Sequence, residues 1–199
     1  MTWKELIGTA APSVTLPNYN GEPYTIVPGK DGVPISLFFY PKSGSYGCTK
    51  EACQFRDALA EKEVFKDDRA LVIGISPDSV EKQKIFVEKQ KLTYPVLSDE
   101  KLEARKAYKV GKGMMGLSDY ARVTFIIDGK GVVRDALDAT MNYGAHSKFV
   151  TKWLEKLQKE KEVPEANSAQ ATEEVPEAAP AATEETPASS ESNQLVPTL

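Results

Sequence analysis

Two cysteines, the only ones in the 199-residue chain, stand five positions apart in Ser45-Tyr46-Gly47-Cys48-Thr49-Lys50-Glu51-Ala52-Cys53. The apolar run Ile35 to Tyr40, closed by Pro41, precedes them. That order reads as a strand, a short polar loop and a helix. Cys48 then falls in the first turn of the helix, where unpaired N–H groups and the positive end of the dipole favour a thiolate over a thiol. A thiolate with a second thiol farther along the same helix points to redox chemistry at sulfur. In an intact helix, residues five apart lie about 7.5 Å apart along the axis and about 140° apart around it. Their Cα atoms are then about 8.6 Å apart, beyond the ~7 Å reach of a disulfide. If Cys48 and Cys53 bond, the first turn or two must unwind. The spacing predicts a two-state site, helical when reduced and unwound when oxidised, unlike a C-x-x-C pair that closes within one turn.

Thiolate attack on the O–O bond of a peroxide needs an ionised sulfur, an aligned peroxide and stabilisation of the leaving oxygen. Cys48 fits the nucleophile and Cys53 a resolving thiol. Ser45, three residues before Cys48, can aim a hydroxyl at sulfur and peroxide. Gly47 permits close backbone approach, and Pro41 can shield the pocket mouth without adding a donor.

Thr25-Ile26-Val27, Ile35 to Tyr40 and Ala70 to Ser76 read as strands, the last two apolar throughout, with Ile35 to Tyr40 expected to be buried on both faces. A helix from Cys48 to about Glu63 carries Ala52, Phe55 and Leu59 at helical spacing. Ser76-Pro77-Asp78-Ser79 starts a second helix that turns Ile85 and Phe86 inward. A short strand at Tyr94 to Leu97 and a helix from Glu100 to Tyr108 follow. Val123 to Ile127 and Val132 to Leu137 form a hairpin across Asp128-Gly129-Lys130-Gly131. A final amphipathic helix from Ala145 to Lys161 buries Phe149, Trp153, Leu154 and Leu157. This alternation predicts an α/β sandwich around a mixed sheet, with the order of a thioredoxin-like fold carrying an N-terminal extension.

Charge divides the chain. After Glu162 there are seven glutamates and no Lys, Arg or Asp, which leaves 25 basic and 22 acidic residues, a net +3, over 1–162. A near-neutral body gives no support for a nucleic-acid footprint. Segment 163–199, rich in Ala, Pro, Glu, Ser and Thr, cannot bury enough apolar surface to offset its ordering entropy and is expected to be a disordered acidic tail behind a folded domain, 1–162. The N-terminus lacks a signal-peptide pattern and no run approaches membrane-span length. The expected setting is the cytoplasm, with the nucleus as an alternative, and the expected state a monomer or weak homodimer. Thiols there are kept reduced, which favours catalytic over structural cysteines. Two cysteines and one distant histidine, His146, cannot assemble a usual zinc ligand set, and no cofactor is implied.

Three segments resemble a known family. Pro41-Lys42-Ser43-Gly44-Ser45-Tyr46-Gly47-Cys48 is similar to the peroxiredoxin signature Pro-x-x-x-Thr/Ser-x-x-Cys. Gly47 to Asp57, with Cys48 and Cys53, resembles the bacterioferritin-comigratory-protein, or peroxiredoxin Q, branch. Ala121-Arg122-Val123-Thr124-Phe125-Ile126-Ile127-Asp128 is similar to that branch's Arg-x-Thr-Phe-Leu-Ile-Asp strand. The likeness spans about Ile7 to Leu157. It implies a thiol peroxidase acting on hydrogen peroxide and organic hydroperoxides, with Arg122 pointing at the sulfur of Cys48. It also implies that the Cys48 sulfenic acid condenses with Cys53 and that thioredoxin reduces the disulfide. Ser45 replaces the commoner threonine and keeps the hydroxyl; Tyr46 replaces the usual proline and adds bulk at the rim.

Rival readings are a one-cysteine peroxidase with an external thiol resolver, a dithiol–disulfide oxidoreductase, and a redox-gated chaperone or signalling protein whose tail recruits partners. The oxidoreductase is disfavoured by the five-residue spacing and by the absence of a proline at Ala121 to Thr124. Among single residues, Glu51 reads equally as support for the arginine or as a solvated helix position. His146 is expected at the surface or in a cap. Met114-Met115 reads as loop packing.

Overall fold

A computed structural model describes residues 2–66, 69–113 and 120–169, with side chains in the last helix as far as Lys161. The N-terminal segment supplies a 3-10 helix, Trp3–Leu6, and an antiparallel pair, β1 (Val14–Pro17) with β2 (Pro23–Ile26). The first of these strands is absent from the sequence reading. Four residues that bury only Leu16 and end in proline carry too little alternation to announce a strand.

The central sheet contains β3 (Ile35–Phe39), β4 (Leu71–Ser76), β5 (Val96–Ser98), β6 (Val123–Ile127) and β7 (Val133–Asp138), in the order β5-β4-β3-β6-β7. The first three run parallel, and β6 pairs antiparallel with both β3 and β7. All five residues of β3 are buried because both sheet faces are covered. Four helices do the covering together with the N-terminal extension: α1 (Tyr46–Glu61), α2 (Val80–Gln90), α3 (Glu103–Ala107) and α4 (Tyr143–Ala169). On one face, Phe38 and Tyr40 pack with Cys48, Phe55, Phe86, Val150 and Leu154 from α1, α2 and α4. On the other, Leu37 and Phe39 pack with Leu16, Ile26, Ala104 and Tyr108. This is the thioredoxin-like α/β arrangement with an N-terminal extension that the element order predicts.

One expectation is corrected. Ile85 points outward, 64% exposed, while Phe86 is buried. The inward stripe of α2 is Gln83, Phe86 and Val87, and the polar member is hard to recognise because its amide is satisfied only by partners distant in sequence. Gln83 Nε2 donates to Ser76 Oγ and to the Leu97 carbonyl, and its Oε1 accepts from Tyr40 and Ser43. α4 continues to Ala169, past the composition boundary at 162. The remainder of the tail and Met114-Met115 lie outside the described residues. Among the described residues no helix is long and apolar enough to cross a membrane.

Candidate active site

The chain leaves β3 through Tyr40 and Pro41 and turns into α1 with Ser45 as N-cap residue in extended conformation. The turn is fastened from below. Ser43 N–H donates to Asp78 Oδ2 at 2.6 Å, and the Tyr40 hydroxyl donates to Gln83 Oε1 at 2.7 Å. Burial drives the Tyr40 phenol far above its ordinary range, so it stays neutral and keeps that bond. Cys48 is the third residue of α1, and both it and Cys53 are free thiols. Cys48 is only 1% exposed.

Arg122, just ahead of β6, reaches Cys48 from the neighbouring strand: its Nη2 donates to Sγ at 3.2 Å. A guanidinium hydrogen bond suits a thiolate acceptor far better than a neutral thiol. The other terminal nitrogen, Nη1, donates to Glu51 Oε2 in a closed ion pair. Glu51 sits three residues after Cys48, hence on the same face of α1, and is 1% exposed. Burial pushes its carboxyl up to about 7, outweighing the downward pull of Arg122. The Tyr143 ring lies under the same guanidinium, 5.1 Å from its centre. That ring also packs on Gly47, where a Cβ would strike it, so glycine is required here by a neighbouring side chain.

Arg105 is a second buried guanidinium, missed in the sequence reading. Its Nη2 donates to the Tyr40 carbonyl at 2.9 Å and its Nη1 to the Ala121 carbonyl at 3.3 Å. It thereby ties together the two chain segments that carry the cysteine loop and Arg122. Burial pushes it down to about 10. An arginine in a five-residue helix gives no sequence signal of such a role.

His146 is also corrected: it is fully buried, not a surface or capping residue. Its Nε2 faces the Ala139 carbonyl at 3.1 Å, and its Nδ1 meets Thr124 Oγ1 at 2.8 Å. The same Nδ1 stands 3.5 Å from Glu51 Oε1. The apolar spacing of α4 implied that the position following Tyr143-Gly144-Ala145 faces inward, but a lone histidine there reads as a helix-start residue.

The remaining expected residues are placed less directly. Ser45 Oγ donates to the Lys42 carbonyl at 3.0 Å, and among the described residues the hydrogen-bond partner of Cys48 Sγ is Arg122. Pro41 is half-buried at the head of the loop, and Tyr46 is 77% exposed with its ring edge-on to Tyr143. Cys53 is half-buried and points toward α2, where its Sγ donates to Gln90 Oε1 at 3.5 Å. Intact α1 therefore keeps the two sulfurs on different sides. Among the described residues no group of three or more His, Cys, Asp or Glu is placed to hold a metal ion.

Comparison with known proteins identifies the family. Residues 7–136 match the pattern that defines the AhpC/TSA family. A peroxiredoxin of Mycobacterium tuberculosis is 37% identical over 141 residues, covering 70% of this chain and 90% of its own. Chloroplastic peroxiredoxin Q of Arabidopsis thaliana is 43% identical over 127 residues, 64% of this chain and 56% of its own. Among solved structures, the bacterioferritin comigratory protein of Xanthomonas campestris, described for its alkyl peroxide reduction activity, superposes with a TM-score of 0.62. It is 27% identical and covers 72% of this chain and 90% of its own.

Proposed function

The chain belongs to the AhpC/TSA family, as a peroxiredoxin of the peroxiredoxin Q type, and from that premise we propose how it carries out thiol peroxidase chemistry. Cys48 is the nucleophile. Its thiolate attacks one oxygen of a hydroperoxide, the O–O bond breaks, and the electron pair leaves on the other oxygen, which takes a proton to become an alcohol or water. The sulfur is left as a sulfenic acid. Arg122 donates to the sulfur and places positive charge where the leaving oxygen develops its negative charge. Ser45 turns its hydroxyl from the Lys42 carbonyl to the peroxide, and Pro41 shields the mouth. The 3.2 Å contact between Arg122 and Cys48 carries this reading.

Cys53 resolves the intermediate. After the first turns of α1 unwind, its sulfur attacks the sulfenic sulfur, releases water and leaves an intramolecular disulfide, which a thioredoxin reduces with two electrons. Hydrogen peroxide and organic hydroperoxides are both substrates, with Tyr46 at the rim positioned to touch the organic group. Intact-mass analysis after one equivalent of hydrogen peroxide tests the scheme. A loss of about two mass units, with both cysteines then refractory to alkylation, is the expected signature of the disulfide. A gain of about sixteen units with Cys53 still alkylatable would replace it with the one-cysteine scheme and an external resolver.

A further inference from the structure

Glu51 spends only one of its carboxylate oxygens on Arg122. Oε2 receives the guanidinium, whereas Oε1 is buried with no hydrogen-bond partner. A buried, unsatisfied carboxylate oxygen is an expensive feature and calls for a reason. Across from it stands His146 Nδ1, at 3.5 Å.

The proton positions on His146 follow from its neighbours. A carbonyl can only accept, so Nε2, facing the Ala139 carbonyl, carries the ring hydrogen. In the neutral ring Nδ1 is then an acceptor, and the Thr124 hydroxyl donates to it. Burial, reinforced by the positive charge of Arg122 and opposed by the Ala139 carbonyl, pushes the imidazole down to about 4 and keeps it neutral. An ionised Glu51 would thus set two acceptors against each other, Oε1 and Nδ1. One proton placed on Oε1 converts that clash into a hydrogen bond to Nδ1, whose single lone pair it takes over from the Thr124 hydroxyl, and satisfies the orphaned oxygen.

We propose that His146 is a positioning residue of the peroxidase site, which draws a proton onto the inner oxygen of Glu51 and so releases the charge of Arg122 to the sulfur of Cys48. With Glu51 ionised, one guanidinium serves two anions. With Glu51 protonated, it serves the thiolate alone. The charged and titratable groups bearing on the imidazole are Glu51 from α1 and Arg122 ahead of β6; Thr124 on β6 and the Ala139 carbonyl beyond β7 complete the shell. The inference rests on the proposed role of Cys48 and deepens it.

The test is the pH dependence of Cys48 oxidation in a single turnover with one equivalent of hydrogen peroxide, alongside thermal unfolding of each variant. His146→Gln keeps an amide nitrogen for the Ala139 carbonyl but removes the ring Nδ1 that faces Glu51, which then stays ionised to lower pH. The acid limb of the rate profile is expected to move up by about one pH unit. His146→Asn, whose amide can donate to Oε1 and stabilise the carboxylate, moves the limb the same way and serves if the glutamine variant does not fold. In a Glu51→Gln background either His146 replacement is expected to leave the limb where Glu51→Gln puts it. A folded His146 variant with the wild-type limb overturns the inference, as does an equal displacement in the Glu51→Gln background. Wild-type protein that fails to oxidise at Cys48 would instead overturn the peroxidase scheme itself.

Discussion

Arg122 touches the sulfur of Cys48 at 3.2 Å across 74 residues of sequence. The contact joins the helix that follows β3 to the strand paired with β3, so it exists only when the sheet is assembled. The guanidinium reaches from there to Glu51 and rests on Tyr143. Three residues from three parts of the chain are thus fixed around one sulfur.

Cys48→Ser is expected to reduce peroxide consumption to the uncatalysed background. Cys53→Ser is expected to consume one equivalent at the wild-type rate and then stop when thioredoxin, its reductase and NADPH are the electron source. Normal cycling by Cys53→Ser in that assay would exclude Cys53 as resolver.

Removing the guanidinium has two separable effects. Arg122→Lys keeps a charge but loses the two-ended fork, and a loss of about 10²–10³ in the rate of Cys48 oxidation is expected. Above pH 7, where Glu51 is ionised, Arg122→Met also leaves it buried without a counter-charge, which costs about 3–5 kcal/mol of stability. Combining Arg122→Met with Glu51→Gln should recover much of that stability in urea unfolding while leaving peroxidase activity low.

Gly47→Ala forces a methyl group into the Tyr143 ring. A destabilisation of about 1–3 kcal/mol is expected, together with slower Cys48 oxidation as the ring leaves Arg122. Adding Tyr143→Ala should remove the clash and make the Gly47 substitution nearly neutral for stability. Additive losses in the double variant would show that the ring is not the obstacle.

Stability should depend on pH through two opposed groups. His146 has its folded value lowered from 6.5 to about 4, so its contribution is complete above pH 6.5 and disappears as pH falls toward 4, by about 3 kcal/mol. Glu51 has its folded value raised from 4.5 to about 7, so acidification from 7 to 4.5 relieves a similar burial cost. Glu51→Gln removes the second effect and leaves the first. Urea unfolding of that variant is therefore expected to lose stability between pH 7 and 4.5 more steeply than wild type. A parallel course for the two proteins would contradict the assignment.

The Tyr94 hydroxyl donates to the Ala52 carbonyl at 2.9 Å and so clamps α1 between the two cysteines. Loss of such a bond is worth about 1 kcal/mol. Tyr94→Phe should speed disulfide formation from the sulfenic acid roughly fivefold, measured by quenched alkylation, if unwinding limits that step. An unchanged or slower rate would place the limit elsewhere.

Much of this protein was legible in its residues because the signals are local. Periodicity located β3, β4, β6 and the main helices, since an apolar run buried on both faces or a stripe at 3.6 spacing needs no knowledge of its partner. The five-residue spacing of Cys48 and Cys53 fixed their separation on a helix by geometry alone. Arg122 was identified from its motif. Glu51 reads two ways from sequence alone, and Ile85 reads as inward although Gln83 occupies the buried stripe with a polar amide.

The sequence by itself determined the fold class and the placing of both thiols on one helix, since these depend on residue type and short-range spacing. Tertiary structure alone decided that Glu51, His146, Tyr143 and Arg105 are buried around the site. Charge and hydrogen-bonding partners for those groups come from strands and helices far away in the chain. Whether a polar residue is solvated or shapes a reacting sulfur depends on which surface closes over it, and no local pattern records that closure.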